Sequence, residues 1–323
     1  MKASVCTKYG SADIIVIKDI TKPIPKEDEI LVKVAYAIVS PTDCSFRTGK
    51  PWIARLFSGL LKPRVSVHGE MYVGVIEDLG CNVKDFKVGD RVYGSNGMKL
   101  GSYAEYNCVK DKTLIRKVPD TVESKHIITL LDGGITALPF LRDKAEIKQG
   151  QKVLVIGASG SVGSFGVVLA KHFKAHVTGV CSTANVELIK NLGCDEVIDY
   201  KKTNYTKLDK EYDIIFDAVG KSSFGACKSI LSKEGRYLTT VPVLSTMLKL
   251  LFKKKQKGKK DLFAATGLRK IPQKHKDLEI LEGMLVRENI KPLMDNEYPM
   301  DDIIEAQKYV ESGHKKGNVL VRI

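Results

Sequence analysis

Hydrophobic residues follow different patterns in the two halves of the chain. In the first half, short apolar runs alternate with polar residues and are separated by Gly, Pro and Asp, which is typical of β-strands. The runs predicted as strands are 29–36, 72–77, 90–94 and 102–109. From about residue 124 the pattern changes to alternating helical and extended segments, and this change places a domain boundary there.

The second half opens with an apolar strand at 153–156, three glycines at three-residue spacing (Gly157, Gly160 and Gly163) and an amphipathic helix at 165–173. A glycine turn lets backbone N–H groups and a helix N-terminus approach a pyrophosphate, where any Cβ would obstruct the contact. The following segments alternate as a parallel, doubly wound sheet requires: a strand at 176–181, a helix at 186–192, and strands at 196–200 and 212–219. This pattern predicts a dinucleotide-binding domain over residues 124–268.

The last 55 residues return to a mixed pattern. It predicts helices at 274–289 and 301–311, an extended segment at 290–299 and a final strand at 317–323. We expect this tail to join the first domain, so that residues 1–123 and 269–323 form one mostly β domain.

The tip of the second strand in the nucleotide domain indicates which cofactor is bound. NAD sites carry an acidic residue there, about 20 positions beyond the glycines, that binds the ribose hydroxyls. Residues 181–185 read Cys-Ser-Thr-Ala-Asn, with no carboxylate before Glu187. A serine or threonine hydroxyl can donate to a 2′-phosphate, so the sequence favours NADP(H) over NAD(H). The positive charge opposite the 2′-phosphate would come from Lys201 or Lys202, which can equally be solvated surface residues.

Length, charge and cysteine content limit the class of protein and the number of domains. The 323 residues, 43% of them hydrophobic, fit two globular domains. The net charge of +14 favours anionic partners but does not determine the fold. Seven cysteines without a C-x-x-C pair indicate reduced thiols rather than a disulfide framework. No signal peptide or membrane-spanning segment is apparent, so the expected location is the cytoplasm.

Several motifs together resemble the medium-chain dehydrogenase/reductase superfamily, and within it the zinc-free quinone oxidoreductase and alkenal reductase branch. The resemblance covers nearly the whole chain. It rests on Ser-Pro-Thr-Asp at 40–43, Val-Gly-Asp-Arg-Val at 88–92, Gly-Ser-Tyr-Ala-Glu-Tyr at 101–106, the glycine loop, and Asp-Ala-Val-Gly at 217–220. It implies an α/β protein with a GroES-like, mostly β catalytic domain and a Rossmann nucleotide-binding domain. It also implies a hydride-transferring enzyme that forms a homodimer.

Zinc-dependent members of the superfamily place a Cys and then a His-Glu pair in the first domain. Here the corresponding positions hold Ser40 and Glu70. Cys44 and His68 lie nearby, but a catalytic zinc needs three converging protein ligands, and this region offers no third one. We therefore expect no zinc, with Cys44 as a small buried residue and His68 in a loop.

Without zinc as a Lewis acid to polarise an alcohol or an unactivated ketone, conjugate reduction is easier than reaction of those groups. The expected function is zinc-independent, NADPH-dependent hydride transfer to quinones or to the C=C bond of α,β-unsaturated carbonyls. Negative charge then develops on the carbonyl oxygen, where hydrogen-bond donors stabilise it.

The resemblance also implies site residues. Ser40 and Asp43 fall in the nicotinamide-facing motif and are the candidate catalytic residues. Asp43 can alternatively form an ion pair with Arg47 at a turn, and Thr136 can cap a helix rather than contact the nicotinamide. Ser182 would meet the 2′-phosphate. The predicted cofactor-binding residues are Thr136, Gly157, Ser159, Gly160, Ser161, Val162, Gly163, Cys181, Ser182, Thr183, Asn185, Tyr200, Val219, Gly220, Val241 and Asn318.

A lysine-rich segment, Lys249 to Lys260, supports a second hypothesis. The protein could use its NADPH-binding fold as a scaffold and this basic loop to contact RNA or an anionic membrane surface. A solvated surface loop is the other interpretation of such a run of charges. An enzyme would oxidise NADPH in the presence of an enal, enone or quinone, whereas a scaffold would bind NADPH without turnover.

Overall fold

A computed structural model describes residues 1–241, 258–264, 266–288 and 290–323. The chain divides into two compact units. The first unit comprises Met1–Asp132 and Ile271–Ile323, and the second comprises Gly133–Lys270.

Strands and short helices make up both units. In chain order, the strands are β1 (Lys2–Val5), β2 (Val16–Asp19), β3 (Glu29–Val39), β4 (Met71–Leu79), β5 (Arg91–Ser95), β6 (Tyr106–Lys110), β7 (Leu114–Lys117), β8 (Lys152–Ile156), β9 (His176–Cys181), β10 (Glu196–Asp199), β11 (Tyr212–Asp217), β12 (Leu231–Thr239), β13 (Lys260–Leu262), β14 (Met294–Pro299) and β15 (Asn318–Arg322). The α-helices of the described residues are α1 (Pro41–Thr48), α2 (Ala54–Ser58), α3 (Ser124–Ile127), α4 (Gly133–Pro139), α5 (Ser161–His172), α6 (Val186–Asn191), α7 (Phe224–Cys227), α8 (Ile271–Arg287) and α9 (Ile303–Glu311). Short 3-10 helices lie at Ala12–Ile14, Gly97–Lys99, Ile128–Leu131, Thr183–Asn185, Tyr205–Lys207, Thr266–Leu268 and Met300–Asp302, and a π-helical turn lies at Phe140–Lys144.

The first unit is built around a seven-stranded sheet. Its strand order is β14-β15-β3-β4-β5-β7, with β6 also paired to β3. Only β14 and β15 are parallel, and the other pairs are antiparallel. The strand nearest the end of the sequence, β15, therefore pairs directly with β3. Strands β1 and β2 form a separate antiparallel pair.

Strand β3 changes the face that it buries partway along its length. Alternate residues from Ile30 to Val34 belong to one apolar cluster, whereas Ala37 and Val39 belong to another that includes α9. The change follows a shift in the pairing with β4 just after Val34, because one extra residue reverses the alternation of a strand. The second cluster also contains Cys44 of α1, so this packing fixes the position of α1.

The second unit contains a six-stranded parallel sheet in the order β10-β9-β8-β11-β12-β13. Numbered within the unit, this is the order 3-2-1-4-5-6 of a dinucleotide-binding sheet. The central strands β8 and β11 are apolar and almost fully buried, as expected when helices cover both faces. The predicted parallel, doubly wound sheet is therefore confirmed.

The structure places the division between the units nine residues after the expected position, at residue 133 rather than 124. The reason is packing: α3 and the 3-10 helix Ile128–Leu131 contact the strands β3, β4 and β5 of the first unit. The predicted strand 102–109 is also shorter than expected. Its first residues bond to other segments instead, through Ser4 N–H to Tyr103 O and Ser102 N–H to Gly69 O.

Candidate nucleotide-binding and catalytic residues

The glycine loop connects β8 to α5 in the second unit, and two of its glycines determine its shape. Gly157 has a φ of +76°, and a Cβ there would lie 2.5 Å from Val219. A Cβ on Gly163 would lie 2.0 Å from the carbonyl oxygen of Gly157. Because the Gly163 contact is with backbone, α5 can lie this close to the loop only because residue 163 is glycine. Gly157 adopts a positive φ and leaves room for the Val219 side chain.

Gly160 has a different role. It is the N-cap residue of α5, with a φ of −79°, and makes no side-chain cap to the helix. A Cβ at this position would meet nothing closer than 3.5 Å. Open space therefore lies in front of the helix N-terminus, where N–H groups without helical partners and the helix dipole favour an anion. The loop thus has the room and the polarity that a pyrophosphate needs.

Asp217 shapes the neighbouring turn at the end of β11. Its buried carboxylate accepts hydrogen bonds from the N–H groups of Val219 at 3.1 Å, and of Gly220 and Ser222 at 2.8 Å each. The hydroxyl of Tyr237 also donates to it, at 3.0 Å. Strands β8 and β11 are adjacent although they are not consecutive, which makes this a switch point of the sheet, where nucleotides bind in such folds.

The tip of β9 is linked to the glycine loop. Asn185 donates from Nδ2 to the Ser159 hydroxyl at 3.0 Å, while its buried Oδ1 has no hydrogen-bond partner among the described residues. The half-buried Ser182 hydroxyl likewise makes no hydrogen bond there. Burial raises the pKa of the Cys181 thiol to about 11, so this thiol is neutral. The unpaired Asn185 Oδ1 and the Ser182 hydroxyl therefore provide an acceptor and a donor at the end of β9, where a ribose is expected.

A carboxylate that sequence reasoning missed also lies at this tip. Asp199, at the end of β10, accepts from the Thr183 hydroxyl at 2.7 Å and from the Lys201 N–H at 3.0 Å. The Thr183 hydrogen bond is the main reason that the pKa of Asp199 is lowered. Along the chain no carboxylate lies between Cys181 and Glu187, and Asp199 reaches the tip from further along because β10 pairs with β9. The 3-2-1 strand order was the signal that could have predicted it.

The remaining predicted contacts of the second unit occupy three places. A Cβ on Gly220 would lie 2.6 Å from Val241, so these residues adjoin at the switch point together with Val219. Tyr200 is exposed just after β10, and its N–H donates to the Cys181 carbonyl at 3.1 Å. Thr136 is half-buried as the fourth residue of α4, a helix that packs on α5. The alternative role of Thr136 as a helix cap was therefore wrong.

The first unit contains the two candidate catalytic residues. Ser40 is the N-cap of α1 and forms a capping box with Asp43. Asp43 Oδ2 accepts from the Ser40 hydroxyl at 2.6 Å and from the Ser40 N–H at 2.9 Å. Both residues are only 2% exposed. Burial raises the pKa of Asp43 to about 7, and the nearby Glu70 charge contributes in the same direction. These two side chains hold the start of α1.

The expected ion pair between Asp43 and Arg47 does not form. The fully buried guanidinium of Arg47 contacts Glu311 at 2.6 Å, Gln307 at 2.9 Å and the Gly10 carbonyl at 2.6 Å. Asp43 turns back towards the helix N-terminus, whereas Arg47 reaches α9. The partners of Arg47 lie far away in sequence, so local spacing could not identify them.

Glu70, Cys44 and His68, the residues considered as metal ligands from the sequence, have surroundings that do not form a metal site. Glu70 accepts from the Ser95 hydroxyl at 2.6 Å. The Cys44 thiol lies 3.5 Å from the Gln307 side-chain oxygen, and burial raises its pKa to about 12. Burial lowers the pKa of His68 to about 4. Within the described ranges, no group of three or more His, Cys, Asp or Glu side chains could hold a metal ion.

Asn318 also belongs to the first unit, at the start of β15. It is fully buried, its N–H donates to the Leu293 carbonyl at 3.1 Å, and its Oδ1 lacks a hydrogen-bond partner in the part of the chain described. Its assignment to the cofactor remains a prediction, since the other predicted cofactor contacts lie in the second unit.

The lysine-rich segment falls largely outside the described residues, which resume at Gly258. Lys259 Nζ donates to the Lys228 carbonyl at 2.7 Å, and Lys260 begins the edge strand β13. No described helix has the length and apolarity needed to cross a membrane.

Sequence comparisons identify two matching families. Residues 26–120 match the alcohol dehydrogenase GroES-like domain, and residues 192–321 match the zinc-binding dehydrogenase family. The chain is 32% identical to a 2-methylene-furan-3-one reductase of Solanum lycopersicum and 31% identical to an NADPH-dependent alkenal/one oxidoreductase of Arabidopsis thaliana. Each alignment covers 99% of this chain and 79% of the relative.

Solved structures show the same fold. The quinone oxidoreductase of Coxiella burnetii superposes with a TM-score of 0.85 at 24% identity, covering 100% of this chain and 99% of that one. The Escherichia coli quinone oxidoreductase complexed with NADPH superposes with a TM-score of 0.84 at 19% identity, covering 100% of both chains. At these identities, the likeness concerns the fold.

Proposed function

The chain belongs to the zinc-free quinone oxidoreductase and alkenal reductase branch of the medium-chain dehydrogenase/reductase superfamily, and on this basis we propose that it reduces α,β-unsaturated carbonyls or quinones with NADPH. The observation that carries the proposal is the glycine loop at the β8–β11 switch point. There, two glycines fix the loop and a third leaves open space before α5. Relatives named for reduction of enones and alkenals indicate the substrate class.

The residues of the second unit fit NADPH, which supplies a hydride when bound. We assign the pyrophosphate to the loop around Gly160 and to the N–H groups that begin α5. The unpaired Oδ1 of Asn185 can accept a hydrogen bond from a ribose hydroxyl. Ser182 can donate to a 2′-phosphate, and Lys201 can supply its counter-charge. Asp199 already accepts hydrogen bonds from Thr183 and Lys201, so it is not the free carboxylate that binds the ribose hydroxyls in NAD sites. The preference for NADPH rests on Ser182 and Lys201.

In the first unit, we assign Ser40 and Asp43 to positioning rather than to proton transfer. The two side chains satisfy each other and are almost fully buried. They therefore fix the start of α1 within the motif implied to face the nicotinamide. Negative charge on the substrate carbonyl would be stabilised by hydrogen-bond donors and neutralised by a proton that reaches it through water.

We also propose that the reaction is independent of zinc. This proposal rests on the residue types at the ligand positions, where Ser40 bonds to Asp43 and Glu70 bonds to Ser95. A chelator is therefore expected to leave the rate unchanged. The homodimer and the cytoplasmic location also remain predictions, for which light scattering and fractionation of the source cells are the tests.

The loss of NADPH absorbance with chelator-treated protein tests the proposed function. A small alkenal, a cyclic enone and a naphthoquinone are compared in parallel, each with NADPH and with NADH. Turnover with one or more acceptors, faster with NADPH, is the expected result. Binding of NADPH without turnover on all three acceptors would contradict the reductase assignment, and zinc-restored activity would contradict metal independence.

A further inference from the structure

Residues 50–64 of the first unit present an unusually apolar surface to solvent. Six large side chains in this segment are exposed: Trp52 by 65%, Ile53 by 46%, Leu56 by 47%, Phe57 by 54%, Leu60 by 56% and Leu61 by 93%. Three of them, Ile53, Leu56 and Phe57, follow the spacing of one helical face at α2 and its N-cap, and Leu60 and Leu61 come after Gly59, where the helix has ended. We call these six side chains the apolar face.

Contacts on the opposite side of α2 hold the apolar face outward. Ala54 and Ser58 are the buried residues of this helix. The Ser58 hydroxyl lies 2.8 Å from the Tyr9 hydroxyl, which also donates to the Gly59 carbonyl. The Arg55 guanidinium stacks 4.6 Å from the centre of the Tyr9 ring. The small side of the helix is therefore buried and its large apolar side is exposed, the reverse of an ordinary surface helix.

Positive charges flank the apolar face in the sequence. Lys50, Lys62 and Arg64 are exposed, and none of them forms an ion pair with a described residue. The sequence contains no Asp or Glu between Asp43 and Glu70. The charge of the whole chain has the same sign, at +14. The segment is therefore both apolar and locally cationic.

This combination favours an anionic lipid surface over a protein partner. The apolar side chains protrude, Leu61 most of all, and an aromatic side chain together with basic neighbours is typical of segments that lie in a membrane interface. A second copy of the chain is disfavoured, because a symmetric contact would bring the same uncompensated lysines and arginine together. We propose that residues 50–64 bind the surface of anionic bilayers, an inference independent of the proposed reductase activity.

Trp52 makes this inference directly testable because it is the sole tryptophan of the chain. The full-length protein is titrated with vesicles of phosphatidylcholine mixed with phosphatidylglycerol, and with vesicles of phosphatidylcholine alone. We expect the emission of Trp52 to shift to the blue with the anionic vesicles and to be quenched when their acyl chains are brominated. Added salt should weaken the response, since electrostatic attraction to lipid is screened.

Matched variants separate the apolar face from net charge. Leu61→Glu should lower the partition coefficient about tenfold or more, because it removes a leucine side chain that the bilayer would bury. Ile24→Glu makes the same change of charge at another exposed position of the first unit, 85% exposed, and should change partitioning by no more than about twofold. Lys62→Ser and Arg64→Ser should each weaken binding about fivefold.

Three results would overturn the proposal. Sedimentation with anionic vesicles without any change in Trp52 emission would place the contact elsewhere, for example on the Lys249 to Lys260 segment. Equal losses in Leu61→Glu and Ile24→Glu would show that only net charge matters. A blue shift that grows with protein concentration in the absence of vesicles would identify a second copy of the chain as the partner.

Discussion

Alanine substitutions at two glycines of the same loop should separate folding from cofactor binding. In Gly163→Ala, the new Cβ would lie 2.0 Å from the Gly157 oxygen, whereas ordinary contacts begin at 3.4 Å. The difference, 1.4 Å, must be taken up by backbone atoms. Overpacking of this kind costs about 1–3 kcal/mol of the free energy of unfolding.

Gly160→Ala should behave differently. Its Cβ would meet only the Gly157 oxygen at 3.5 Å, an ordinary contact, so the free energy of unfolding should change by less than about 1 kcal/mol. If the pyrophosphate lies in this space, the methyl group displaces it from backbone donors. Losing one hydrogen bond to a charged group costs about 1.5–3 kcal/mol, which raises the Kd for NADPH about tenfold to a hundredfold.

Thermal unfolding without cofactor and calorimetric titration with NADPH measure the two effects. Gly163→Ala should lower the Tm by several degrees, whereas Gly160→Ala should keep the Tm and bind NADPH more weakly. An unchanged Kd in Gly160→Ala would refute the assignment of the pyrophosphate to this loop. A wild-type Tm in Gly163→Ala would refute the packing argument.

Three further substitutions probe carboxylates that are buried or half-buried, and a fourth serves as a control. Asp43→Asn should flatten the dependence of the free energy of unfolding on pH. Folding raises the pKa of the Asp43 carboxyl from 3.8 to about 7. The stabilisation by this carboxyl is therefore present below about pH 4 and is lost as the pH rises to about 7. Denaturant titrations across this range measure the effect, and parallel profiles for the two proteins would contradict it. Asp217→Asn places an amide N–H2 group where Tyr237 and the turn now donate, and should lower the free energy of unfolding by about 1–3 kcal/mol; thermal melts with an unchanged Tm would count against this. Glu282→Gln weakens a largely buried ion pair with Arg116, which is made through two hydrogen bonds of 2.7 Å. The substitution should lower the free energy of unfolding by about 1–3 kcal/mol. Asp301→Asn, in an exposed pair, is its control and should leave denaturant unfolding unchanged.

Local patterns predicted the second unit well. The predicted strand at 176–181 coincides with β9, because its β-branched residues and flanking polar residues set both ends. The glycine spacing predicted the loop because its cause is local. Gly157 and Gly163 are six positions apart, and the close approach at Gly163 involves backbone atoms of Gly157 and Ala158.

Contacts between distant segments could not be predicted in the same way. The side-chain partners of Arg47, Gln307 and Glu311, lie on α9, about 260 positions away, and no spacing rule relates them. Asp199 reaches the tip of β9 only through the pairing of two strands. The exposure of Trp52 depends on which side of α2 is anchored, and that is decided by Tyr9, 49 positions before Ser58. Tertiary packing therefore determines the partners of Arg47, the position of Asp199 and the exposure of Trp52.

The arrangement of the first unit has a consequence for biosynthesis. Strand β15 lies between β14 and β3 in the sheet, and it is synthesised 279 residues after β3 ends, since β3 ends at residue 39 and β15 begins at residue 318. The second unit is continuous in sequence, and all of its residues are synthesised before α8. Until β15 emerges, the edge of β3 that faces it lacks a partner, and such an edge is prone to pair with other chains. The residues of the second unit are therefore all synthesised before the last strand that the sheet of the first unit needs.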